Sequence, residues 1–164
     1  FFQNGKAVIP AGFDKASPVH WLAFGLGSGF APRAPGTFGS AAAILLYLPL
    51  ADLPLTVYCA IVVLAFVAGV WICEATSRQL GVHDHGGIVW DEFVGVWITL
   101  TAVPPSLSGV LSGFLLFRVL DILKPWPINW ADKKVHGGFG IMLDDAIAGI
   151  LAAAGVQAGF LLIA

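Results

Sequence analysis

Four long stretches without a single Lys, Arg, Asp or Glu dominate the sequence: 37–51, 53–73, 93–117 and 146–164. A helix needs about 20 apolar residues to cross the hydrocarbon core of a bilayer. The runs 53–73 and 146–164 meet that length, and 37–51 meets it when tilted or thinly embedded. Pro104-Pro105 divides the third run, which therefore reads either as one kinked span or as two helices joined by a tight turn over 103–108. Only 11% of the residues are charged, against roughly 25% in a soluble domain. Such a chain cannot clothe itself in polar surface, and its expected solvent is lipid.

Cytoplasmic flanks of membrane proteins are enriched in Lys and Arg, which decides between the two readings of the third run. With a hairpin at 103–108, spans fall near 37–51, 55–73, 88–103, 106–123 and 145–164, and all eight Lys and Arg lie toward one side. One kinked span would move Lys124, Lys133 and Lys134 to the face opposite Arg33 and Arg78. The expected fold is therefore an all-α polytopic membrane bundle of about five helices, with the N-terminus inside and the C-terminus outside. The segment 19–30, with Trp21 and Phe24 on an apolar stripe, reads as a further helix at the interface. Residues 1–17 read as a tail and 18–164 as a single membrane-embedded domain.

A net charge of −2 excludes a nucleic-acid binder, which must neutralise several phosphates. Cys59 and Cys73 lie in one run and, at about 1.5 Å rise per residue, sit about 21 Å apart in a helix, too far for a disulfide. They read as buried thiols.

Four polar islands interrupt the apolar background: GSGFAPRAPGTFGS (27–40), GVHDHGGIVWDEF (81–93), RVLDILKPWP (118–127) and HGGFGIMLDD (136–145). In the five-helix topology all four face the cytoplasm. They hold Asp84, Asp91, Glu92, Asp121, Asp144 and Asp145, together with Arg33, Arg118, Lys124, His83, His85 and His136. Several carboxylates at one membrane face suit a hard divalent ion such as Mg²⁺, which also grips a phosphate, while Arg and Lys clamp the remaining phosphate oxygens. Phosphoryl transfer needs this positioning and charge neutralisation, with a base for water and an acid for the leaving oxygen.

Each island also has a plainer reading. Asp91-Glu92 and Asp144-Asp145 open predicted helices, where the helix dipole favours negative charge by roughly 0.3–1 kcal/mol. Arg118, Asp121 and Lys124 share a helix face, as an ordinary ion pair would, and Glu74 with Arg78 reads as a local i,i+4 bridge. His83 and His85 lack a third His or Cys for zinc, and His20 reads as structural. In the first island the glycines let backbone N–H groups approach an anion, and a helix beginning near Gly39 would present its positive end. No Gly-Lys-Ser/Thr follows, so the island is not a P-loop.

Taken in order and spacing, GSGFAPRAPGTFGS, LGVHDHGGIVWDEFVGVWITL, FRVLDILKPWPINWAD and VHGGFGIMLDDAIAG resemble the phosphatidylglycerophosphatase A family of bacterial inner-membrane lipid phosphatases, over roughly 18–150. The resemblance implies Mg²⁺-dependent hydrolysis of phosphatidylglycerol phosphate to phosphatidylglycerol and inorganic phosphate, the last step of phosphatidylglycerol synthesis. It implies a multi-pass protein whose site faces the cytoplasm. Carried onto this chain, it assigns metal binding to Asp91, Glu92, Asp121, Asp144 and Asp145, with Asp91, Glu92, Asp121 and Asp145 dominant. Arg33, Arg118 and Lys124 would hold the phosphate, Thr37 would donate a hydrogen bond and His83 would contact substrate, while Asp84 with His85 or His136 would handle protons. Direct attack of water is the preferred route, and an aspartyl-phosphate intermediate stays open.

Competing classes fail on residues. The Asp-Gly-x-x-Ala-Arg string of CDP-alcohol phosphatidyltransferases is missing, as are Pro-Ser-Gly-His and Asp-x-Asp segments of two other phosphatase groups. A transporter needs ionisable groups at successive depths, whereas 53–73 and 146–164 hold none.

Overall fold

A computed structural model describes residues 9–163, so Lys6 and residues 1–8 of the expected tail lie outside the described part. The described residues are helical throughout, with no strand: α1 (Pro18–Ala23), a 3-10 segment (Gly25–Phe30), α2 (Pro35–Tyr47), a 3-10 turn (Leu48–Leu50), α3 (Leu55–Leu80), α4 (Trp90–Thr99), α5 (Leu107–Leu123), α6 (Ile128–Lys134) and α7 (Gly137–Ile163).

Local chemistry sets most of these boundaries. Pro18 and Pro35 stand in the first turns of α1 and α2, where the missing N–H costs nothing and the fixed φ is already helical. This is why α2 starts at Pro35 and not near Gly39. Ser106 caps α5 by accepting from the Gly109 N–H at 3.1 Å. Gly81, at φ 68°, ends α3 in the left-handed cap that a side chain disfavours. Pro104-Pro105 lies in the α4–α5 turn, as a hairpin requires.

Two expectations change. The helix expected over 19–30 ends at Ala23, and the 3-10 segment that follows is itself interrupted at Leu26 and Gly27, both with positive φ. Phe13, from the expected tail, packs its ring against Trp21, Phe24 and Phe30. The last helix begins at Gly137 and not near 145, which places Asp144 and Asp145 two turns inside it and removes the helix-opening explanation for that pair. Its first N–H groups are capped from elsewhere in the chain: Gly137 donates to His83 Nε2 at 2.9 Å and Gly138 to Glu74 Oε2 at 2.5 Å.

The long helices alternate in direction. Tyr47, Leu55, Tyr58, Leu100 and Val103 border a small cavity of about 180 Å³ at one end, while the opposite end gathers the start of α2, the end of α3, the start of α4, the end of α5 and the start of α7 through the contacts described below. Every Lys and Arg among the described residues lies at or beside that second end; Asp52 is the charged residue at the other. Helix α7 is central and packs against α3, α4, α5 and α6. Its approach to α4 is set by Gly95 and Gly149: a Cβ on Gly149 would meet the Gly95 carbonyl oxygen at 2.6 Å. Small residues bring helix backbones together where lipid removes the hydrophobic drive for packing.

Among the described residues two helices, Leu55–Leu80 and Gly137–Leu162, are long and apolar enough to cross a membrane. In the first, the most apolar window is only 22% buried, with Val63, Leu64, Val67 and Trp71 facing outward. Leu45 on α2 and Leu111, Leu115 and Ile122 on α5 are likewise exposed. This is the reverse of a soluble core helix, and the apolar exterior fits a lipid solvent.

Candidate active site

Three helix segments converge on one acidic cluster. Asp91 and Glu92 project from the first turn of α4, Asp145 from α7 and Asp121 from the last turn of α5. One oxygen each of Asp91, Glu92 and Asp145 lies within 4.8 Å of the others. Asp121 faces both Glu92 and Asp145 and thereby closes the ring. Asp91 Oδ1, Glu92 Oε2 and Asp145 Oδ2 are buried without any hydrogen-bond partner. Leaving even one such oxygen unsatisfied is costly. Three together, all hard oxygen donors, match what a divalent cation such as Mg²⁺ demands, so these residues fit the ion that the sequence led us to expect.

Arg118 is the cationic counterpart. Its Nη1 pairs with Asp121, lies 3.8 Å from Glu92 Oε1 and donates to Ser40 Oγ at 3.5 Å, while its buried Nε has no partner. The side chains of Arg118, Glu92 and Asp121 are 12–13% exposed. The i,i+3 pair expected on α5 therefore exists, but it sits inside the acidic cluster and is not a surface bridge. A guanidinium held on one edge by carboxylates and with N–H capacity left over is suited to an anionic oxygen.

The positive end of α2 abuts this pair. A Cβ on Gly36 would overlap Glu92 Oε1 and reach both terminal nitrogens of Arg118 at 3.2 Å. Ser40, one turn on, donates to the Gly36 carbonyl at 2.8 Å while receiving Arg118. Thr37 is half-buried in the same first turn, and Arg33 is exposed in the loop before it.

Lys124 forms a second cluster. It donates to Asp132 and to Asp144, each at 2.6 Å. Burial alone would pull its ammonium down, but the two carboxylates outweigh that and hold it above the usual lysine range. Asp144 is thus engaged by Lys124 and stands outside the three-carboxylate group that includes its neighbour Asp145. Adjacent helical residues point about 100° apart, which is enough to send the two carboxylates to different partners. Asp84, in the loop before α4, is exposed and has Lys124, His83, Asp132 and His85 as its charged neighbours.

The histidines divide by partner. His85 is half-buried and accepts the Gly87 N–H on Nδ1 at 3.0 Å, so the neutral ring carries its proton on Nε2. Burial holds it below the usual histidine range. His83 uses Nε2 to accept from Gly137, and its ring meets that of His136 edge-on at 5.5 Å. Glu74 makes the expected bridge to Arg78 at 2.6 Å as well as capping α7. Cys73 is buried beside Met142, and Cys59 is also a free thiol. Sequence reasoning overlooked Gly36, Ser40 and Asp132. The i,i+4 spacing of Gly36 and Ser40 within the first island was the available signal; Asp132 carried none.

The sequence model of the family described as Phosphatidylglycerophosphatase A matches residues 21–160, which include every member of both clusters. The chain belongs to the phosphatidylglycerophosphatase A family. It is therefore a phosphoric monoester hydrolase. It is 49% identical to Phosphatidylglycerophosphatase A of Escherichia coli strain K12 over 149 residues, covering 90% of this chain and 87% of that protein. The corresponding Haemophilus influenzae protein is also 49% identical, over 83% of this chain and 85% of its own length. A Bacteroides thetaiotaomicron protein, provisionally named a phosphatidylinositol-3-phosphatase, is 40% identical over 77% of this chain and 83% of its own. No solved structure matches the chain.

Proposed function

We propose that the chain hydrolyses phosphatidylglycerol phosphate to phosphatidylglycerol and inorganic phosphate in a Mg²⁺-dependent reaction, as the last step of phosphatidylglycerol synthesis. The observation that carries this reading is the set of three unpartnered, buried carboxylate oxygens on Asp91, Glu92 and Asp145 beside an Arg118 with an unused Nε. Asp91, Glu92 and Asp145, with Asp121, would hold Mg²⁺, which when bound supplies charge neutralisation for a phosphoryl group and Lewis acidity. Arg118 and the first turn of α2, including Thr37, bind the outer phosphate oxygens, and Arg33 guards the approach. His85, with its proton on Nε2, is a donor to the leaving oxygen or to the phosphate, and Asp84 is an acceptor at the rim. Lys124 fixes Asp144 and α6 against α7, and this holds Asp145 in register. His83 anchors the start of α7, with the His136 ring against it.

The chain crosses the bacterial inner membrane five times, by α3 and α7 at full length and by α2, α4 and α5, whose 13, 10 and 17 residues reach across only together with the turns at their ends, with this end facing the cytoplasm. The side bias of Lys and Arg supports that orientation, as do Trp21, Trp126 and Trp130, which are exposed in segments adjoining the site end. The headgroup of a lipid then meets the cluster without leaving the bilayer. The test is phosphate release in detergent from phosphatidylglycerol phosphate, compared with phosphatidic acid and phosphatidylinositol 3-phosphate, with Mg²⁺ and with EDTA. Turnover of the first substrate that stops in chelator is expected; undiminished turnover in chelator rejects the metal, and preference for either other lipid rejects the substrate.

A further inference from the structure

Helices α5 and α7 leave between them an open apolar groove of about 660 Å³. One wall is Ser108, Ser112, Leu116 and Val119 of α5, a single face of that helix, and the other includes Gly155 and Gly159 of α7. At about 1.5 Å rise per residue, the α5 wall runs from about 3 Å to about 20 Å below the level of Asp121. Val119 is one residue from Arg118, so the α5 wall reaches the phosphate-binding end, while the α7 wall begins at Gly155, about 15 Å beyond Asp145, and the groove descends alongside the bundle toward its other end. Its lining exposes little polar surface, and its long side is open to the surroundings.

We infer that this groove seats one acyl chain of the lipid substrate while the phosphate occupies the acidic cluster, an assignment that rests on the lipid phosphatase reading above. The occupant follows from continuity and depth: a phosphate held at Arg118 and Asp121 puts the glycerol ester at the top of the groove and the chain along its length. Lipid tails gain little by exchanging bilayer for an apolar wall. The groove therefore orients the headgroup and adds little affinity, and its loss falls mainly on kcat. Gly159 is the place to block it, because a Cβ there meets nothing within 4 Å, so a larger side chain enters the groove without displacing its neighbours.

The experiment compares Gly159→Trp and Ser112→Phe with the unaltered protein in mixed micelles on dioleoyl and dihexanoyl phosphatidylglycerol phosphate. It includes the oligomeric state by light scattering and photocrosslinking by a phosphatidylglycerol phosphate carrying a diazirine near the end of one chain. The expected result is a loss of about tenfold in kcat on the dioleoyl lipid, the scale of a misplaced reacting group. Turnover of the dihexanoyl lipid, whose chains are too short to reach Ser112, stays within about twofold. Crosslinks fall on α5 and α7 and are lost in both variants. Equal effects on the two lipids, or crosslinks scattered over α2 and α3, overturn the assignment. Loss of self-association with unchanged chain-length preference overturns it in favour of a second copy as the occupant. If the unaltered protein releases no phosphate from either lipid, the functional reading fails, while the crosslinks still decide whether the groove holds a chain.

Discussion

Gly36 gives a demanding test of the site because substitution there should help the helix and harm the chemistry. The residue lies in the first turn of α2 with helical backbone angles, so Ala relieves up to about 1 kcal/mol of backbone entropy cost. The added Cβ, however, overlaps Glu92 Oε1 and reaches both terminal nitrogens of Arg118 at 3.2 Å. The two backbones are packed closely here, since a Cβ on Gly39 would meet Val89, just before α4, at 2.7 Å, and the end of the flexible Glu92 side chain is the part that gives most readily. The Glu92 carboxylate must therefore swing by about 1 Å, and displacements of that size cost about 100-fold in rate. Gly36→Ala should lower kcat/KM for phosphatidylglycerol phosphate by about 10- to 100-fold while the thermal midpoint in detergent stays the same or rises. Combining it with Glu92→Asp, which shortens the obstructed side chain, should be markedly less than additive. Activity within twofold of the unaltered protein, or strict additivity, would refute the contact between α2 and the acidic cluster.

Asp121→Asn and Glu92→Gln keep size while removing charge, and each should cut turnover by at least about 100-fold without loss of yield or monodispersity; near-normal rates in both would dismiss these residues as ligands. Lys124→Met should leave Asp144 buried without its cation and cost about 1–3 kcal/mol, read as a lower thermal midpoint. Because its two carboxylates raise the Lys124 pKa above the free lysine value, the bridge's contribution is complete below the unfolded pKa and is lost only as pH rises through the higher folded one. The Lys124→Met deficit should therefore be flat between pH 6 and 9, and a deficit that shrinks across that range would contradict the bridge. Cysteines placed at Gln79 and Ser106 should react with membrane-impermeant maleimide from opposite faces of sealed vesicles; labelling from one face overturns the five-crossing topology.

The helices were legible because lipid leaves a coarse mark: long uncharged runs, with the Pro104-Pro105 pair at a reversal. The acids of the cluster were legible as types, since carboxylates cost too much at an apolar boundary to be there idly. Their partition was not. Asp144 and Asp145 are adjacent in sequence, and only the presence of Lys124 and Asp132 on one side of α7 and of Asp91 and Glu92 on the other separates them. The start of α7 was missed for the same reason, because its caps are His83 and Glu74, 54 and 64 residues away. Local signals reach about one helical turn, so caps and packing glycines supplied by another helix, such as Gly36 against Glu92, leave little trace until the chain is folded.

The central claim is that a divalent cation and a phosphate meet at Asp91, Glu92 and Asp145. Electron-nuclear double resonance on the detergent-solubilised protein, with Mn²⁺ in place of Mg²⁺ and inorganic phosphate added, measures that meeting directly. A bound Mn²⁺ with ³¹P coupling, abolished by Asp145→Asn and by Asp91→Asn, is the predicted spectrum. Mn²⁺ that fails to bind, or that binds equally well to both variants, would contradict the account.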